Sequence, residues 1–323
     1  MRAAIVTSPT GPDDVTTGEL PDPTPGPDDV LIAVHAAGIA FPDLLMSRGE
    51  YQVRPEPPFA LGTDVAGTVV SAPEGSGLAE GQRVVAVAGH GAAAELFVAP
   101  APFVMALPDE LSFEEGAALP MNYLTAHFAL LRRGGLQAGD TVLVHGAAGG
   151  VGTASIQVAR AFGARPIAVV STEAKGEVAR AAGAEDVVLL DGFKDAVKEL
   201  TGGRGVDLVV DVVGGDAFLD SVRSLAPEGR LLVIGFAAGQ GIPEIKVNRL
   251  LLGNTDVRGV GWGAFVMFHP AYVAEQWADL LPHLRSGALK PPVGASYPLD
   301  EAAQALRDLD ERRATGKVVV RVR

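Results

Sequence analysis

Apolar and polar positions follow two different rhythms along the chain, and the rhythm changes near residue 119. Up to about Gly116 the apolar runs are short: Val30–Ala36, Ala66–Val70, Arg83–Ala88 and Glu95–Val98. Proline and glycine cut between them, with Pro crowded in Pro21–Pro27 and Pro55–Pro58. Proline removes the amide donors a helix needs, so this stretch predicts short strands of a β barrel or sandwich. From Leu119 to Gly261 the pattern is different. Apolar runs at Thr141–His145, Pro166–Val170, Val187–Leu190, Val206–Val210 and Arg230–Ile234 alternate with helical segments. Those segments reach Phe162 and then cover Ala174–Ala182, Lys194–Leu200 and Asp216–Leu225. Continuous apolar strands between helices are buried on both faces, which predicts a doubly wound α/β domain with a parallel sheet.

After Gly261 come a helix at Pro270–Ser286, a strand at Pro291–Tyr297, an amphipathic helix at Leu299–Arg313 and a strand at Lys317–Val322. In the amphipathic helix Leu299, Ala302, Ala303, Leu306 and Leu309 recur at helical spacing. None of these elements extends the alternation, so they are expected to return to the first domain. The predicted division is a β-rich domain at 1–118, completed by 262–323, and interrupted by a dinucleotide-binding domain at 119–261.

The strongest chemical signal lies where the first strand of the second domain ends. Thr141–His145 runs into Gly146-Ala-Ala-Gly149-Gly150-Val151-Gly152, and a helix follows. Glycines at this spacing allow a tight turn, let the backbone approach a pyrophosphate, and let the helix pack on the strand. The first-turn amides and the positive end of the helix dipole then face the phosphates. Cofactor type is read at the end of the second strand. An acid there would hold the ribose diol of NAD. Here Ser171-Thr-Glu-Ala-Lys175 follows the strand. A hydroxyl and a Lys suit a 2′-phosphate, so NADPH is favoured over NADH. The competing roles are a helix cap for Ser171 and a solvated surface site for Lys175; Glu173 is the residue that opposes the NADPH reading.

Composition narrows the choice further. The 26 basic and 39 acidic residues give 26 − 39 = −13, which disfavours nucleic acid and anionic membrane as partners. No apolar stretch reaches the roughly 20 residues of a membrane span, and no signal-peptide pattern is visible, so a cytoplasmic location is expected. There is no cysteine, which removes disulfides, thiolate nucleophiles, iron–sulfur clusters and Cys-ligated zinc at once. The six histidines, His35, His90, His127, His145, His269 and His283, show no metal-ligand spacing, and His145 before the glycine loop suits a core or supporting role. No pair of carboxylates stands out as an acid–base couple.

Several stretches carry a family resemblance over nearly the whole chain. They are Gly38-Ile-Ala-Phe-Pro-Asp43, Arg48-Gly-Glu-Tyr51, Pro58-Phe-Ala-Leu-Gly-Thr-Asp-Val-Ala-Gly-Thr-Val69, Gly81-Gln-Arg-Val84, Leu119-Pro-Met-Asn-Tyr-Leu-Thr-Ala126, the glycine loop, Ala181-Ala-Gly-Ala184 and Gly316-Lys-Val318. The chain resembles the zinc-independent medium-chain dehydrogenases/reductases of the quinone oxidoreductase branch. That resemblance implies a GroES-like catalytic domain beside a Rossmann domain. Zinc-dependent cousins hold a catalytic metal through Cys, His and Cys. The matching positions are Ala40, Thr63 and Met121, none of which replaces a thiolate or imidazole, so no metal is expected. Hydride transfer is then expected to an acceptor that is already electrophilic, a quinone or an α,β-unsaturated carbonyl compound.

The resemblance also implies site residues. Tyr51 lines the site and donates to the acceptor oxygen or stacks on the nicotinamide; its competing role is packing in a loop. Many relatives have Asn where this chain has Ala40, so one polar contact is missing. Thr125 matches a position near the nicotinamide ribose, against a hydroxyl bonded back to its own helix. Gly235 and Phe236, after the strand at Arg230–Ile234, match a cofactor-lining loop, against a plain exit from the strand. Val260-Gly-Trp-Gly263 covers the nicotinamide pocket or forms a subunit contact. Relatives are commonly homodimers that pair near Asp256–Gly261, which would cover a sheet edge. Two other functions fit the same residues: reduction of enoyl thioesters, and NADPH binding without catalysis.

Overall fold

The computed structural model describes all 323 residues, Met1–Arg323, and the chain divides into two compact units. One unit comprises Met1–Met121, His269–Arg285 and Lys290–Arg323; the other comprises Asn122–Phe268 and Ser286–Leu289.

In the first unit a seven-stranded sheet runs in the order Val293–Pro298, Lys317–Arg321, Asp29–Ile39, Asp64–Ser71, Arg83–Val87, Val104–Ala106, with Leu96–Pro100 also paired to Asp29–Ile39. A three-stranded sheet of Val15–Glu19, Arg2–Val6 and Phe59–Ala60 accompanies it. Alternation along Asp29–Ile39 buries Val30, Ile32 and Val34 in a core shared with Leu44, Phe59, Val84, Leu306 and Val320. Val318 and Val320, on the last strand, and Leu306, on the helix Ala302–Asp310, belong to this core, which is why the chain ends in the unit where it began. The expected helix at Leu299–Arg313 is shorter: a 3₁₀ turn at Leu299–Glu301 precedes it, and it ends at Asp310. Two helices in this β-rich stretch went unread, Phe41–Ser47 and Phe113–Ala117. Pro42 sits in the first turn of the former, where its missing amide costs nothing.

One buried ion pair ties the strands together. Lys317 Nζ donates to Asp64 Oδ2, with both side chains almost completely shielded from solvent. Asp64 Oδ1 accepts from the Met121 amide at 2.6 Å. Strand Asp29–Ile39 lies between the two partners, and the pair crosses it at Gly38. A Cβ on Gly38 would lie 2.3 Å from Ala117 O and 2.5 Å from Lys317 Cε. Only a residue without a side chain leaves that passage open.

The second unit is a six-stranded parallel sheet. Its order is Asp186–Leu189, Arg165–Val170, Thr141–His145, Val206–Asp211, Leu225–Val233, Asp256–Gly259, which in chain order reads 3-2-1-4-5-6. Helices Gly150–Ala161, Glu173–Ala181, Phe193–Leu200 and Ala217–Arg223 alternate with the strands, the doubly wound pattern that the apolar runs predict. A helical run from Pro120 to Gly134 leads into it, with π-helical turns on both sides of Thr125–His127.

The Lys317–Asp64 pair makes a prediction. Removing one partner of a buried pair strands the other, at a cost of about 3–5 kcal/mol. Lys317→Met is expected to lose stability on that scale in denaturant melts. Adding Asp64→Asn, which still accepts from Met121, is expected to restore much of it. Equal losses in the single and double variants would contradict the role given to the pair.

Candidate functional site

The loops that follow strands one, two, four and five all emerge at the carboxyl edge of the parallel sheet, where ligands bind in folds of this kind. They bring together Gly146, Gly149, Gly150, Val151 and Gly152 after strand one, Ser171 and Lys175 after strand two, and Gly235 and Phe236 after strand five.

The glycine loop has a separate physical reason at each position. Gly146 has φ +61°, and a Cβ there would lie 2.7 Å from Val212 Cγ2. Gly149 begins the helix Gly150–Ala161 and donates to Gly146 O at 2.9 Å. A Cβ on Gly152 would lie 2.2 Å from Gly146 O, so the helix packs backbone to backbone on the turn. A Cβ on Gly150 would meet the Asn122 side-chain amide at 2.6 Å. The amides of Gly150, Val151 and Gly152 open the helix and have no acceptor within the chain. Together with the positive dipole end they form a cradle that fits a pyrophosphate.

Thr125 is buried in the helical stretch that packs on Gly150–Ala161, and Tyr123 Oη donates to Gln157 Oε1 of that helix at 2.7 Å. Asn122, three residues before Thr125, was not singled out in the sequence; its signal is the Pro-Met-Asn-Tyr stretch, read there only for the resemblance. After strand two the helix Glu173–Ala181 is capped by Thr172, whose hydroxyl accepts from Lys175 N at 3.3 Å. The cap expected as the competing role of Ser171 therefore belongs to its neighbour, because Thr172, not Ser171, has the extended cap conformation. Ser171 is exposed and Lys175 half-buried.

The loop at Gly235 and Phe236 rests on the turn after strand four. Ala237 N and Ala238 N donate to Val212 O and Val213 O at 3.1 and 2.9 Å. Phe236 leaves no room for a Cβ on Gly214, 2.9 Å away. Trp262 is buried inside the unit, at the start of the helix Trp262–Phe268, so its ring supplies no subunit contact.

Tyr51 belongs to the other unit. It is half-buried and packs on the core there. Burial, reinforced by the charge of Asp43, raises its pKa and keeps the phenol an O–H donor at neutral pH. Asp43 is itself fully buried and accepts from the amides of Ala40 and Gly62, each at 2.8 Å. Desolvation lifts its pKa to about 6. No group of three or more His, Asp or Glu side chains is placed to hold a metal ion.

These features define a nucleotide-binding oxidoreductase with a β-rich companion unit. Residues 26–109 match the alcohol dehydrogenase GroES-like domain and residues 150–284 the zinc-binding dehydrogenase family. The chain is 37% identical to rat (Rattus norvegicus) quinone oxidoreductase-like protein 2 over 323 residues, covering 99% of this chain and 91% of the relative. Among solved structures it matches a probable oxidoreductase from Mycobacterium abscessus, with 46% identity, TM-score 0.91, and coverage of 100% of this chain and 99% of the other. It also matches a mycobacterial protein complexed with NADPH, with 35% identity, TM-score 0.90, and full coverage of both chains. The chain belongs to the medium-chain dehydrogenase/reductase family, in its zinc-independent quinone oxidoreductase branch. The zinc in the description of one matching domain does not carry over, since Ala40, Thr63 and Met121 supply no ligand.

Asp43 makes the pH dependence of stability predictable. Its folded pKa lies above that of the unfolded chain, so between about pH 4 and pH 6 the native state holds more protons, and this contribution is lost as pH rises. The loss is about 3 kcal/mol by pH 7. Asp43→Asn lacks it. From about pH 4.5 to about pH 7.5, urea melts are expected to show the variant gaining roughly 2 kcal/mol relative to wild type. A difference that stays flat over that range would contradict the buried, titrating Asp43.

Proposed function

We propose that this oxidoreductase uses NADPH to reduce quinones or α,β-unsaturated carbonyl compounds, without a metal. The observation that carries the reading is the glycine cradle, joined to a strand-two loop that offers a hydroxyl and a Lys. The amides of Gly150, Val151 and Gly152 bind the pyrophosphate, and Ser171 and Lys175 meet the 2′-phosphate. Thr125, Gly235 and Phe236 line the nicotinamide end. When bound, the dinucleotide supplies the hydride. Tyr51 donates its hydroxyl hydrogen to the acceptor oxygen as negative charge develops there. The field of Asp43 at Tyr51 disfavours an anionic acceptor and suits a neutral one. The NADPH complex of a structural neighbour supports the cofactor assignment. A cytoplasmic location goes with a cofactor drawn from that compartment; no helix is long and apolar enough to cross a membrane.

NADPH oxidation, followed across quinones, enones, enals and enoyl thioesters, tests the reading. Turnover confined to enoyl thioesters would favour that alternative, and tight NADPH binding with no turnover would favour a non-catalytic role. Lys175→Ala is expected to raise the KM for NADPH roughly tenfold, the scale of one lost charge-assisted contact, with little change for NADH. Equal effects on both would remove the role of Lys175.

We also infer a homodimer. Strand Asp256–Gly259 forms the open edge of the six-stranded sheet. In the preceding segment Ile242, Val247, Leu251 and Leu252 are 70%, 75%, 75% and 81% exposed. A second copy that pairs with the edge covers both features. Light scattering is expected to give twice the chain mass, and Leu252→Asp to move it toward the monomer.

A further inference from the structure

The second unit buries a polar group that cofactor binding does not use directly. His145 and Asp211 end neighbouring parallel strands, one residue beyond the paired Val144 and Val210. They share a sheet face with Leu143 and Val209, which pack against Phe193, Phe218 and Val222 on the covering helices. His145 Nε2 lies 2.8 Å from Ser221 Oγ, and the ring meets Phe193 edge-on at 4.9 Å. Ser221 Oγ also lies 2.8 Å from Ala217 O. Asp211 Oδ1 accepts from Val213 N at 2.9 Å and Gly214 N at 2.8 Å. Two buried atoms are left without a partner, His145 Nδ1 and Asp211 Oδ2.

The order Ser–His–Asp invites comparison with a nucleophilic triad. Ser221 is fully buried, so no substrate reaches it, and the group is not a second active centre. Proton counting gives it another role. A hydroxyl carries one proton. If Ser221 spends it on Ala217 O, His145 Nε2 must hold the ring proton, and Nδ1 and Asp211 Oδ2 remain two unpartnered buried acceptors on neighbouring strand ends. If Ser221 donates to Nε2, the ring proton sits on Nδ1. The second arrangement leaves one buried acceptor fewer and puts the Nδ1 proton in the field of Asp211 that the ring feels.

We propose that Ser221, His145 and Asp211 are positioning residues that hold the two loops of the nucleotide site in register, with the ring proton of His145 on Nδ1 facing Asp211. His145 is followed at once by Gly146, the left-handed turn of the glycine loop. Asp211 closes the Val212–Gly215 turn, whose Val212 covers Gly146 and whose carbonyls support the loop behind Phe236. Both loops therefore start from neighbouring buried polar residues at the point where the strand order reverses. Burial holds the imidazole pKa down to about 4 against the opposing pull of Asp211, so the ring is neutral at working pH.

This inference rests on the NADPH reading, and the experiment separates the two. In the full chain at neutral pH, ¹⁵N spectra of labelled histidine are expected to show His145 as the Nδ1–H tautomer. In Asp211→Asn the side-chain amide becomes a donor toward Nδ1, and the tautomer is expected to switch to Nε2–H. Asp211→Ala is expected to raise the Kd for NADPH roughly tenfold, while Asp211→Asn, which still accepts from both amides, stays within about threefold. Val209→Ala, on the same strand and face, is expected to lower Tm without changing Kd. If Asp211→Ala does not fold, His145→Phe keeps the ring packing and is expected to weaken NADPH severalfold. An Nε2–H tautomer in the wild type, wild-type affinity in folded Asp211→Ala or His145→Phe, or an equal affinity loss in Val209→Ala would overturn this inference alone. Wild-type protein that binds no NADPH would overturn the functional reading and this inference with it.

Discussion

The Lys317–Asp64 pair is the constraint around which the β-rich unit is arranged. A Lys and an Asp are taken out of water, and their attraction in the interior only offsets the cost of desolvation. What the pair supplies is specificity. Lys317 lies on the last strand, Asp64 on the fourth strand of the sheet order, and the pair crosses the intervening strand only because residue 38 is glycine. The second oxygen of Asp64 takes the Met121 amide, at the residue where the chain leaves this unit. One carboxylate thus links the exit and the end of a domain that is discontinuous in sequence.

The same unit shows how a fold related to metal enzymes is held without a metal. Ala40, Thr63 and Met121, the positions that resemble the metal ligands of zinc-dependent cousins, lie on three separate segments of this unit. Carboxylates hold these segments through backbone amides. Asp43 accepts from Ala40 and from Gly62, the residue before Thr63, and Asp64 accepts from Met121. Tyr51 belongs to the same unit, and burial together with the charge of Asp43 keeps its phenol protonated.

How much of this was legible in the sequence depended on the range of the interactions. The parallel sheet could be read because each apolar strand and helix declares itself locally. The glycine loop could be read because Gly146 and Gly152 answer requirements set by their immediate neighbours. Helix Phe41–Ser47 was hidden because Pro42, a breaker in a helix interior, is harmless in its first turn. Thr172 rather than Ser171 caps its helix, a distinction that depends on one backbone angle and not on residue type. The buried carboxylates did not stand out, since Asp43 is satisfied by amides and Asp64 by a Lys 253 positions away. No local pattern marks such partners.

The two units solve recognition by opposite means. The nucleotide unit relies on absent side chains: glycines clear the approach, and bare amides supply the donors. A pyrophosphate is the same in every dinucleotide, so backbone geometry suits that part of the ligand. The β-rich unit relies on charged side chains buried at a cost, with Asp43 lifted to about 6 as its measure. Groups that burial makes expensive persist where an apolar substitute would lose a fixed geometry. Here that geometry is the placement of three chain segments, at Ala40, Gly62 and Met121, by two buried carboxylates.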